Sequence, residues 1–158
     1  MSTGLAYRLA DGECTLSGVL DELAAPTLSE VSARLGPGTR AVFELGELKR
    51  INSLGVRAWV DFMKQLGARE IVFRRCSPAF VDQLNTVSDF RGEGRVESFL
   101  APYVCESSGN VFYEELTVGK DITKEDQSAL SGRRCAECPE PLVFDDLPER
   151  YLHFLEYV

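Results

Sequence analysis

The chain has 158 residues, enough for one ordinary domain or for a domain of about 100 residues with a small appendage. Its apolar fraction of 44% is that of a globular protein, and no apolar run approaches the roughly 20 residues that span a bilayer. A formal net charge of −8 argues against nucleic acid or anionic membrane as a direct partner, because both require a positive surface.

Residues 6–20 predict a hairpin: AYRLA and CTLSGVL flank Asp11-Gly12, a strong two-residue turn signal. LDELAAPTLSEVSARLG predicts a helix with Leu28, Val31 and Leu35 inward, Pro26 in its first turn and Gly36-Pro37-Gly38 as its stop. AVFEL, 41–45, reads as a buried central strand, and the polar run Gly46 to Arg50 as a connector. A helical pattern starts at Asn52-Ser53, where either side chain can cap the first turn. Val56, Trp59, Val60, Met63 and Leu66 then share one face. Glu70 to Arg75 predicts a second buried strand. Ser77-Pro78 opens a helix over AFVDQLNTVSDF facing inward on Phe80, Val81, Leu84 and Val87. The turn RGEG leads to a last strand, Arg95 to Leu100. Strands alternating with helices imply parallel crossovers, hence an α/β fold with one sheet packed by helices.

From Pro102 the character changes. Tyr103 to Val118 predicts a separate hairpin around Ser-Gly-Asn, residues 119–134 a loop, and LVF, 142–144, a short strand. A closing helix, ERYLHFLEYV, is capped by Asp146 with Pro148 and Glu149 in its first turn. Its apolar residues Tyr151, Leu152, Phe154 and Leu155 require a surface to dock on. The expected organisation is a domain over 1–101 and an extension over 102–158.

Ile51-Asn52-Ser53-Leu54-Gly55-Val56, at the junction of a central strand and an amphipathic helix, resembles the signature of STAS domains, small α/β domains of the anti-sigma-factor-antagonist type. The resemblance covers roughly residues 5–101, whose predicted element order agrees with it. In the family the pattern is close to Asp-Ser-Ser-Gly, and its first Ser is phosphorylated by a partner kinase. By position Ser53 matches that acceptor and Gly55 the glycine, while Asn52 replaces Asp and Leu54 replaces the second Ser or Thr. The resemblance implies a bacterial signalling or scaffold module whose protein partner, a serine kinase or an anti-sigma-like regulator, docks on Asn52, Ser53, Leu54, Gly55 and Arg57. A cytoplasmic subunit of a transporter and a homodimer are further options it leaves open. Without it, Ser53 is a helix cap, which typically contributes about 1 kcal/mol.

MSTGLAYRLADGE lacks the apolar segment of a secretory signal, so a cytoplasmic location is expected. The five cysteines are then free thiols or metal ligands rather than a disulfide framework. Cys135-x-x-Cys138 is one metal-binding knuckle, and Cys105-Glu106-Ser107-Ser108 is a second in which a serine replaces the last cysteine. The tail thus resembles a zinc ribbon lacking one ligand. Cys105, Cys135 and Cys138 are the candidate ligands of a structural zinc, with His153, the one histidine, as a candidate fourth. A metal-free tail and a redox pair of Cys135 and Cys138 compete with that reading, although Pro139 and Pro141 enforce an extended chain where redox pairs usually open a helix. Cys14 and Cys76 read as buried small hydrophobes. No nucleophile elbow, phosphate loop or dinucleotide fingerprint is present, so a non-enzymatic role is expected.

Overall fold

The computed structural model describes residues 4–38 and 40–157, a mixed α/β structure with two sheets. Its first part runs β1 (Leu5–Ala10), β2 (Glu13–Leu20), α1 (Ala24–Leu35), β3 (Arg40–Ile51), α2 (Ser53–Leu66), β4 (Glu70–Arg74), α3 (Pro78–Thr86) and β5 (Gly94–Val96). This is the element order expected from the sequence. β1 and β2 are antiparallel, and Asp11 and Gly12 both take positive φ (53° and 77°), as a two-residue turn matching strand twist demands. The remaining pairings, β2 with β3, β3 with β4 and β4 with β5, are parallel, giving the sheet order β1-β2-β3-β4-β5.

Three boundaries differ from the sequence expectation. Gly46 to Arg50 is strand rather than connector, because β2 continues alongside it to Leu20 through two register shifts and Leu48 is buried. α3 stops at Thr86, so Phe90 enters the core from the following turn. The strand expected over Arg95 to Leu100 is broken at Glu97: β5 ends the first sheet, and β6 (Ser98–Cys105) begins the second. Glu97 spans the break, its N–H donating to the Phe73 carbonyl and its carboxylate pairing with Arg74.

The second sheet is antiparallel, with β6 between β7 (Val111–Thr117) and β8 (Leu142–Phe144). Position 101/102, where a change of organisation was expected, lies inside β6. The sheets are stitched together where Cys76, just past β4, exchanges backbone hydrogen bonds with β6: Cys76 N–H to Ser98 O at 3.1 Å and Leu100 N–H to Cys76 O at 2.9 Å.

One continuous core runs through both parts. At its centre Trp59 lies 5.3–6.1 Å, centroid to centroid, from Phe43, Phe62, Phe73, Phe80 and Phe90, and its ring N–H donates to the Phe90 carbonyl at 3.0 Å. Phe62 belongs to this inward face of α2, while Val56 and Val60 are only half-buried. The closing helix is one turn, α4 (Pro148–Tyr151), followed by a 3₁₀ segment, His153–Tyr157. Its cap position is Leu147 rather than Asp146, whose carboxylate instead pairs with Arg150. Tyr151 and Phe154 dock on Phe99, the Tyr151 hydroxyl donates to the Leu100 carbonyl at 2.6 Å, and Asn85 of α3 donates to the Tyr151 carbonyl. Tyr151, Leu152, Phe154 and Leu155 are therefore all buried.

Candidate functional sites at the strand–helix junction and the tail thiols

The end of β3 delivers Asn52 to the cap of α2 and Ser53 to its first helical position. Asn52 fixes the junction with three contacts. Its N–H donates to the Leu20 carbonyl at 3.0 Å, its side-chain oxygen accepts from Gly55 N–H at 2.9 Å, and its amide donates to Glu22 at 3.2 Å. The Glu22 carboxyl is held below its usual range by its own backbone N–H and by the Asn52 amide. Gly55 is buried against the end of β2, where an added Cβ would stand 2.0 Å from the Leu20 carbonyl oxygen. A glycine is required there by close packing alone.

Asn52, Ser53, Leu54 and Arg57 are exposed on this end of the molecule. No acidic residue occupies the first turn of α2, so no side chain of the helix itself offsets its dipole beside Ser53. Leu54 is 52% and Leu23 is 68% exposed, each within two residues of the Asn52–Glu22 contact in sequence. Leu23 escaped the sequence reading, although a leucine just before a helix, with no polar cap, was the available signal. A cleft of about 460 Å³ runs alongside, lined by both signs of charge: Asp21 and Glu22 with Lys49 and Arg50.

At the other site, β6 carries Cys105 into a turn, and the loop before β8 carries Cys135 and Cys138 back against it. The sulfurs of Cys105, Cys135 and Cys138 lie within 4.8 Å of one another, with Cys105 and Cys138 at 3.5 Å. Zinc–sulfur bonds of about 2.3 Å at tetrahedral angles separate two sulfurs by about 3.8 Å, so the cluster already has the spacing of a metal site. The Glu137 N–H donates to the Cys135 sulfur at 3.4 Å. A backbone N–H aimed at sulfur favours thiolate over thiol. The Ser108 hydroxyl and N–H, helped by Cys138, hold the Cys105 thiol down at about 6. The Glu140 N–H also favours the Cys138 thiolate, but donating to Cys105 and Cys135, together with burial, pushes this thiol up to about 11. Three thiols so arranged fit a metal ion that prefers sulfur.

His153 does not join them. It is exposed, packs edge-on against Tyr157 and lines a separate cavity with Leu84 and Arg91 of the α3 region, because the closing segment docks on α3 and β6 rather than on the knuckles. Cys14 and Cys76 are fully buried, and burial pushes the Cys14 thiol up to about 12 and that of Cys76 well above its ordinary value. Among the described residues no helix is long and apolar enough to cross a membrane. No protein-family model matches the chain, and no curated protein and no solved structure matches it.

Proposed function

We propose that this protein is a non-enzymatic signalling or scaffold module, similar to STAS domains, that holds a partner protein at the β3–α2 junction. The observation that carries the reading is the pair of exposed leucines, Leu23 and Leu54, beside an exposed serine at a helix N-terminus. Exposed apolar side chains rimmed by polar groups suit protein docking, whereas the adjoining open cleft of mixed charge offers no apolar pocket for a small substrate. Ser53 is the gate of that surface. A phosphate there adds about −1.5 to −2 charges, pairs with the helix N-terminus and with Arg57 one turn on, and sets an anion against Leu54. Glu22 on the other side of Asn52 adds repulsion, so the phosphorylated junction presents a strongly negative surface. Affinity purification from the native host with Ser53→Ala and Ser53→Asp tests the gate. A partner held by wild type and Ser53→Ala but released by Ser53→Asp fits it. Equal retention by all three leaves Ser53 as a helix surface residue.

A second reading concerns the tail, and the sulfur cluster favours it: Cys105, Cys135 and Cys138 hold zinc and thereby lock β6, β8 and the loop between them. Metal analysis of protein purified from the native host, together with chelator-induced loss of tail structure, tests it.

A further inference from the structure

Zinc-binding knuckles present ligands at positions i and i+3, and in this chain those positions are Cys105 and Ser108 on one side and Cys135 and Cys138 on the other. Three corners of a tetrahedron therefore carry sulfur. The fourth falls to Ser108, whose hydroxyl is already engaged by the Asn110 N–H at 3.2 Å. A serine hydroxyl is a neutral alcohol, a poor ligand beside three thiolates. Among the described residues no histidine or carboxylate completes the cluster. Glu137, next to Cys138 in sequence, is turned to the Asn110 amide at 3.0 Å. The turn over residues 106–110 is exposed along its whole length, so the Ser108 corner faces solvent.

We infer that Cys105, Cys135 and Cys138 form a three-thiolate site for a thiophilic divalent cation, and that its fourth position, at Ser108, takes an exchangeable donor from outside the chain. This rests on the metal reading of the tail. Structural zinc sites are closed by four protein ligands, and sites that keep a position for water or another small donor have three. The tail has the peptide scaffold of the first kind and the ligand count of the second. The donor class is a small monodentate base: water, an imidazole or a thiolate. Retention of the metal then depends on what the surroundings supply at that corner.

Cobalt(II) titration of the reduced full-length chain tests this, reading sulfur-to-cobalt charge-transfer bands and the ligand-field bands before and after imidazole is added. Wild type is expected to bind one cobalt per chain and to change its ligand-field bands with imidazole. Ser108→Ala is expected to keep its affinity within about threefold and to respond in the same way, because the hydroxyl is not a ligand. Ser108→Cys, which changes one atom, is expected to bind at least about tenfold tighter, with stronger charge-transfer bands and no response to imidazole. Thermal melts of the metal-free variants check that each is folded. Stoichiometric cobalt binding that imidazole leaves unchanged in wild type, or loss of binding in Ser108→Ala, means a closed site and overturns the open corner while sparing the metal reading. No sulfur-to-cobalt bands in wild type overturns both.

Discussion

Gly55→Ala separates two accounts of the glycine at the junction, recognition by a partner and packing against β2. The new Cβ would stand 2.3 Å from the Leu20 carbonyl carbon, and carbon atoms prefer about 3.5 Å, so the N-terminus of α2 must retreat by roughly 1.2 Å. The obstructing atoms are backbone of a strand end and cannot rotate away. Retreat strains the Asn52 N–H to Leu20 bond, worth about 1 kcal/mol, and overpacking adds about 1–3 kcal/mol. Alanine is the better helix former by about 1 kcal/mol, which offsets part of this. The net expectation is a loss of about 2 kcal/mol, or a Tm lower by roughly 4–8 °C for a chain of this size. Thermal melting and urea titration read it directly. The sign is decisive: if packing did not require the glycine, the same substitution would raise the Tm, and that result would refute the close approach of α2 to β2.

Two further outcomes follow from the tail. Tyr151→Phe removes the hydroxyl that donates to the buried Leu100 carbonyl, costing about 1–2 kcal/mol while the melt stays a single transition; an unchanged melt would mean that the closing helix does not dock on β6. Ultraviolet titration of the reduced, metal-free chain should show one thiolate forming near pH 6, absent in Cys105→Ser. Because this pKa is depressed below the unfolded value of about 8.5, the stability that Cys105 contributes is fully present above that value. It is lost as pH falls through about 6, and stability rising toward acid over this window would contradict the lowered Cys105 pKa.

The strand–helix alternation was legible because each element carries its own period: 2 or a short apolar run in strands, 3.6 in α1 and α2. What stayed hidden was set by partners remote in sequence. Gly46 to Arg50 looks like a polar connector, and only the extension of β2 to Leu20 makes it strand. The short run Arg95 to Leu100 gives no sign that the chain changes sheets at Glu97, a break fixed by Arg74 and Phe73. The knuckle spacing announced Cys105, Cys135 and Cys138 as neighbours, since ligands three apart on two turns must converge if the turns meet. The position of His153 depends on where a short helix docks, which its own sequence does not encode. Leu54 was visible as a departure from the STAS-like pattern, and Leu23 joined it only once the Asn52–Glu22 contact set the two loops side by side.

The claim that the β3–α2 junction is the docking surface is tested most directly by charge placed on its two leucines. The full-length chain, as wild type, as Leu23→Asp/Leu54→Asp and as Val143→Asp, would be used for affinity purification from the native host with quantitative mass spectrometry. Val143 is an exposed apolar residue on β8 and serves as the control. The account predicts a protein partner retained by wild type and by Val143→Asp and lost from the double variant, with all three chains melting alike. A partner retained equally by the double variant would contradict it.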